Sequence, residues 1–196
     1  DQILTCVNDL LSARGLLLKA GTAVDATLIP APSSTKNKGK ERDPEMHSSQ
    51  KGKQWYFGMK AHIGVDADSG LVHTVRGTSG NVADITEGNS LLHGQETDVY
   101  GDAGYQGAHK RADAKEGVTW HVAMRPGKRK ALDKENNRID ALTDLLEKIK
   151  AGIRAKVEHP FRVLKRQFGY GKVRYRGLKK NTLQLKTLFA LSNLWM

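Results

Sequence analysis

The chain has 196 residues, with 32 Lys and Arg against 21 Asp and Glu, a formal net charge of +11 and a pI near 9.8. That length accommodates one substantial core rather than two, and the charge favours a polyanionic partner, nucleic acid first. No stretch approaches the roughly 20 apolar residues of a membrane-spanning helix, no signal peptide opens the chain, and the lone Cys6 excludes an internal disulfide and fits a reducing cytoplasm.

Ile3, Leu4, Val7, Leu10 and Leu11 recur at helical spacing, which predicts a helix over residues 2–14 closed by Gly15. Because the chain starts without Met inside this pattern, a further N-terminal region is expected upstream. A strand is expected over residues 22–29, interrupted by Asp25 and stopped by Pro30. Residues 30–54 carry Pro30, Pro32 and Pro44, many Ser and Lys and almost nothing apolar, the composition of a basic mobile loop. β-favouring residues return at 55–66 and 71–78, joined by the turn Asp66-Ala67-Asp68-Ser69-Gly70. Asp84 is expected to cap a short helix running to His93. A strand ending at Asp102, a short helix over 107–116 and a strand over 118–124 follow. Residues 136–169 read mostly as helix, with Ile139, Leu142, Leu145, Leu146 and Ile149 as its apolar face. The tail, with Leu185, Leu188 and Phe189, reads as a packed helix. This order predicts a single α/β domain, a mixed sheet flanked by helices, in which the first strand can lie beside the one ending at Asp102.

Three acids stand where a simple soluble domain gains little from them. Asp25 interrupts one β run, Asp102 ends another, and Glu158 is the only acid among twelve Lys and Arg between Lys148 and Lys180. A lone carboxylate in a basic, phosphate-attracting segment repels nucleic acid unless a divalent cation bridges them, and oxygen donors of this kind suit Mg²⁺ or Mn²⁺. The pattern points to metal-dependent phosphodiester chemistry on DNA. Arg154, Glu158 and Lys165 share one helical stripe at about 100° per residue. Taken alone, that stripe is better explained by a solvated Arg154–Glu158 salt bridge, which contributes only a few tenths of a kcal/mol. Pro160 tips the balance, since a proline inside a helix costs about 3 kcal/mol unless the helix kinks or restarts.

Other candidates are weaker. Asp66-Ala67-Asp68-Ser69-Gly70 lacks the later ligands of a calcium loop, and seven scattered His without Cys partners do not suggest zinc. His62 and His121 read as satisfied strand residues. Gly101 and Gly104 read as sites where backbone approaches metal or DNA.

The runs Val24-Asp25-Ala26-Thr27, Arg42-Asp43-Pro44-Glu45-Met46-His47, Gly52-Lys53-Gln54-Trp55-Tyr56-Phe57-Gly58-Met59-Lys60-Ala61-His62, Gly101-Asp102-Ala103-Gly104-Tyr105 and Val157-Glu158-His159-Pro160-Phe161 together resemble the catalytic domain of bacterial DDE-type insertion-sequence transposases, in the group named after insertion sequence five. The resemblance runs from about residue 15 to the C-terminus. It implies a ribonuclease H-like fold, Asp25, Asp102 and Glu158 as metal ligands, and Arg154 and Lys165 as the basic partners of an Arg-x3-Glu-x6-Lys element. Many relatives carry a Tyr three residues before that Arg, where Ala151 stands here. Cleavage at element ends and 3′-hydroxyl strand transfer are the implied activity, in a bacterial cytoplasm at the nucleoid and in a homo-oligomer on DNA. Phosphate contacts are expected from Lys60, His159, Arg162, Arg166, Lys172, Arg174 and Arg176. A ribonuclease H-like nuclease without strand transfer and an inactive DNA-binding remnant are the alternatives.

Overall fold

A computed structural model describes residues 2–17 and 20–196. Helix α1 (Gln2–Ala13) leads into β1 (Gly21–Pro30), and β2 (His47–Lys51), β3 (Gln54–Asp66) and β4 (Val72–Ser79) follow. A short helix α2 (Asp84–Glu87) precedes β5 (Asp98–Gly101) and β6 (Thr119–Val122). The remainder is helical: α3 (Pro126–Lys130), α4 (Arg138–Arg154), α5 (Glu158–Arg162) and α6 (Leu178–Trp195).

β3 is the hub of the sheet. It pairs antiparallel with β1 along one edge, while β4 and then β2 occupy its other edge. β1, β5 and β6 run parallel. The sheet is mixed and flanked by helices, the ribonuclease H-like arrangement expected. Alternation along β1 sends neighbouring residues to opposite layers. Ala23 and Ile29 join Phe161, Leu164, Leu185 and Phe189 under α5 and α6, whereas Val24 packs with Leu91, Val99 and Tyr105. The β3–β4 hairpin turns on Asp66, whose Oδ1 accepts from the backbone N–H of Asp68 and Ser69 at 2.9 and 2.6 Å, and on Gly70 at φ +76°.

Four expectations are corrected. Residues 30–54 are not without packed structure: His47–Lys51 forms β2, and Ala31 and Met46 are buried. Pairing with the long β3 satisfies a backbone whose polar side chains alone signalled a loop. Residues 107–116 form only a 3₁₀ turn at Ala108–Lys110, because Gly107 takes a left-handed φ of +92° and no apolar stripe follows. Asp84 does not cap α2. Ala83 holds the cap position without a side-chain bond, and the Asp84 carboxylate accepts from Lys60 Nζ at 2.9 Å. The long helix over 136–169 is broken into α4, a 3₁₀ turn at Ala155–Val157, α5 and a π-helical turn at Val163–Gln167. Its apolar face points outward: Ile139, Leu142, Leu145, Leu146 and Ile149 are 52–73 % exposed, while Asp144 and Glu147 are buried.

Candidate active site

Parallel pairing of β1 with β5 sets Gly21 against Asp98, Thr22 against Val99 and Ala23 against Tyr100. Asp25 lies two residues beyond the last of these pairs on β1, and Asp102 follows the end of β5, near enough for its charge to act on Asp25. Each carboxylate is anchored locally. Asp25 Oδ1 accepts from the Ala26 backbone N–H at 2.7 Å and Asp102 Oδ1 from that of Gly104 at 2.8 Å.

The Gly-Asp-Ala-Gly-Tyr run owes its glycines to packing. A Cβ on Gly101 would stand 3.1 Å from the fully buried Tyr105 ring, and one on Gly104 would stand 2.9 Å from Asp102 Oδ1. These contacts correct the reading of both glycines as points of approach for metal or DNA. Asp102 and the 3₁₀ turn Ala103–Tyr105 thus form one unit, with Tyr105 as its apolar peg.

Burial pushes the Asp25 carboxyl up to about 6. The Ala26 N–H and Arg154 work against the rise, and the charges of Asp102 and Asp84 add to it.

The helical side supplies the counter-charge. Arg154 closes α4, and its Nη1 lies 3.7 Å from Asp25 Oδ2. Glu158 follows beyond the 3₁₀ turn, exposed, as the first residue of α5. Pro160 is accommodated because the helix restarts there: it falls in the first turn of α5, where its missing N–H costs nothing. Lys165 Nζ donates to Thr27 Oγ1 at 2.5 Å. Thr27 shares the face of Asp25, so both cations of the stripe reach β1. Burial lowers the Lys165 pKa and nearby Lys51 adds to that. Asp25, Asp102 and Arg154 are therefore brought together, with Lys165 alongside, whereas Glu158 does not touch Asp25.

The profile of the transposase DDE domain family matches residues 17–194, nearly the whole chain. The chain belongs to that family. No solved structure matches it. Membership makes the protein a transposase-type, nucleic-acid-cleaving domain with DNA as substrate, in a class that uses divalent metals. Among the described residues, no helix is long and apolar enough to cross a membrane.

The DDE domain's own residues fit such a metal. Two carboxylates are each already held in place, and the charge of one raises the pKa of the other. A hard divalent cation relieves that repulsion through oxygen donors.

The expected phosphate contacts divide into two sets. Lys60 is engaged inside the fold, with its Nζ donating to Asp84 Oδ1 at 2.9 Å and Val82 O at 2.8 Å, and only 16 % of its side chain is exposed. His159, Arg162, Arg166, Lys172, Arg174 and Arg176 are all exposed. His159 and Arg162 line a groove of about 540 Å³ with Lys156 and Trp195. Arg174 and Arg176 line another of about 390 Å³ against residues of the 31–43 segment. Neither groove is lined by Asp25. His121 is satisfied within the sheet by Asp98 Oδ1 at 2.7 Å, whereas His62 is satisfied only in part: its Nε2 meets Thr78 Oγ1 at 2.7 Å, but its buried Nδ1 has no hydrogen-bond partner among the described residues and lies 3.9 Å from Asp84 Oδ1.

One group escaped the sequence reading. Among the described residues, His73, His93 and Glu96 bring ligand atoms within 4.8 Å of one another. Thr22 Oγ1 donates to Glu96 Oε1 at 3.1 Å and also meets His73 Nε2 at 3.1 Å, while His93 and Gly94 N–H donate to the carboxylate at 2.6 Å each. Burial works to raise the Glu96 pKa, but these backbone bonds hold it below the usual carboxylate range. The group ties the start of β1 to the loop before β5. Its only sequence signal was a His-x2-Glu spacing at positions 93 and 96.

Proposed function

We propose that this domain cleaves DNA at the ends of an insertion sequence of the insertion-sequence-five group and joins the freed 3′-hydroxyl to target DNA at the nucleoid. Asp25, Asp102 and Glu158 act as the acidic triad. The observation that carries this reading is that the charge of Asp102 acts on Asp25 while Arg154 stands against the same carboxylate. A bound Mg²⁺ or Mn²⁺ supplies activation of the attacking oxygen and charge neutralisation at the leaving oxygen. The chain does the rest. Asp25 and Asp102 present carboxylate oxygens from a rigid sheet, and Glu158 offers a third from the start of α5. Arg154 restrains Asp25 and offsets part of its burial. Lys165 places a cation beside Thr27, where a scissile phosphate would develop charge. His159, Arg162 and Arg166 hold the duplex through phosphates, which positions it without reading sequence.

Incubation with plasmid carrying the element's terminal repeats, in Mg²⁺, tests the reading. Strand-transfer products lost on Asp102→Asn support it. Nicking without joining indicates the nuclease alternative, and binding without nicking indicates the remnant.

A further inference from the structure

α4 presents Ile139, Leu142, Leu146, Ile149 and Ile153 at steps of three and four residues, the a and d positions of a heptad seam. The first four of these, with Leu145 beside them, are 52–73 % exposed. The seam is locked outward. Asp144, on the opposite side of the helix, is held by Arg129 at 2.8 Å, Lys134 at 3.2 Å and Lys148 at 3.3 Å. Glu147 accepts from Met124 N–H at 2.8 Å and from Lys150 at 2.8 Å, and Arg154 reaches Asp25. Rotating the helix to bury its aliphatic stripe would strand these charges, so the stripe needs an external cover.

We propose that the cover is α4 of a second copy of this chain, packed antiparallel across a two-fold axis. Three features favour a second copy. A coiled-coil seam is by construction complementary to itself, and in the antiparallel register Ile139 meets the partner's Ile149 while Leu142 meets the partner's Leu146. Antiparallel packing also sets the two helix dipoles in opposition. The area also suffices. Half-exposed aliphatic side chains cover on the order of 100 Å² each, and five from each copy reach about 1,000 Å², the lower limit of a specific interface. The predicted dimer is therefore weak, with a dissociation constant in the micromolar range. Because α4 ends at Arg154, the pairing would set two Asp25–Arg154 centres about 30 Å apart along the seam.

Sedimentation of the full chain, without DNA or metal, tests the proposal. Wild type should pass from monomer to dimer over micromolar to tens of micromolar concentrations. Leu142→Lys with Leu146→Lys should stay monomeric with unchanged circular dichroism, since both side chains are already exposed in the monomer. In a Cys6→Ser background, Leu142→Cys and Leu146→Cys chains should form disulfide dimers when mixed and not when separate. A wild type that stays monomeric, a Lys variant that still dimerises, or each Cys chain cross-linking to itself overturns the antiparallel seam. If the Lys variant loses helix content, the cross-linking result decides.

Discussion

Arg154 Nη1 lies 3.7 Å from Asp25 Oδ2, so the last residue of α4 touches the acid in the middle of β1. At that distance the pair is a partial counter-charge, weaker than a tight hydrogen-bonded salt bridge. It leaves the Asp25 carboxyl at about 6, well above its ordinary 3.8. Arg154 thus moderates the burial cost of Asp25 without neutralising it, which keeps the carboxylate available to a cation.

The sign of that shift gives a stability prediction. A carboxyl with a raised folded-state pKa binds its proton more tightly when folded, so its contribution to stability is complete below about pH 4 and lost as pH rises through about 6. Asp25→Asn should therefore stabilise the metal-free protein at pH 7.5 by on the order of 1–3 kcal/mol and flatten the pH dependence between 4 and 6. Mn²⁺ should stabilise the wild type increasingly over that range and leave the Asn variant unchanged. Urea unfolding at pH 5 and 7.5, with exposed Asp9→Asn as control, measures both. Equal pH dependence in wild type and variant would remove Asp25 as the titrating group.

Arg154→Ala and Lys165→Ala should each lower cleavage far more than the paired change Lys179→Ala and Lys180→Ala, whose side chains are exposed. The two differ in mechanism. Arg154 acts on the Asp25 charge and Lys165 does not, so only Arg154→Ala should move the acid limb of the pH–rate profile upward. Parallel shifts in both profiles would mean that Arg154 acts simply as a phosphate contact.

Most of this geometry was legible because it rests on local rules. Asp25 within a β run and Asp102 at the end of another follow from strand periodicity, and the reach of Arg154 and Lys165 to β1 from helical spacing. What was hidden depends on distant partners. The five aliphatic residues of α4 read as a core face, and only the ion cluster around Asp144 shows that the helix is turned the other way. β2 was invisible because its residues, His-Ser-Ser-Gln-Lys, carry no strand signal and are ordered by pairing with β3. Lys60 read as a phosphate contact because the Asp84 that engages it lies beyond the next strand, at the start of α2.

The segment before β2 is coupled to the basic C-terminal part. Asp43 Oδ2 accepts from Gly177 N–H at 2.6 Å, and the Glu45 carboxylate accepts from Leu178 N–H at the start of α6. Anions at a helix N-terminus satisfy its free donors and oppose its dipole. Asp43→Ala with Glu45→Ala should cost about 1–2 kcal/mol of stability and increase tryptic cleavage within residues 36–53. Unchanged melting and unchanged cleavage would show that these contacts do not anchor the segment.

Glu158 provides a cleaner separation of stability from chemistry. Its side chain is exposed and makes no ion pair among the described residues, so Glu158→Gln should leave thermal unfolding within about 0.5 kcal/mol of wild type. Metal-dependent cleavage should nonetheless be lost if, as proposed, Glu158 is the third acid of the donor set. A large drop in melting temperature would make Glu158 structural, and near wild-type cleavage would remove it from the triad.

The exposed cations make the last prediction electrostatic. Arg162, Arg166, Lys172, Arg174 and Arg176 face solvent, and none lies on a helix that presents a row of side chains suited to base edges: α5 is five residues long and residues 172–176 have no regular structure. Contacts of this kind neutralise phosphates and release counterions, so affinity should fall steeply with salt and depend little on sequence. Replacing Arg162, Arg166 and Lys172 by Ala together should reduce the slope of log K against log salt by roughly 3, at about 0.9 per phosphate contact. Binding to terminal-repeat and scrambled duplex should weaken in parallel. Fluorescence anisotropy over a salt series, run on both duplexes, measures the slope and the ratio in one experiment. A preference for the terminal repeat above about a thousandfold would place sequence recognition within these 196 residues, and an unchanged slope would place the phosphate contacts elsewhere on the surface.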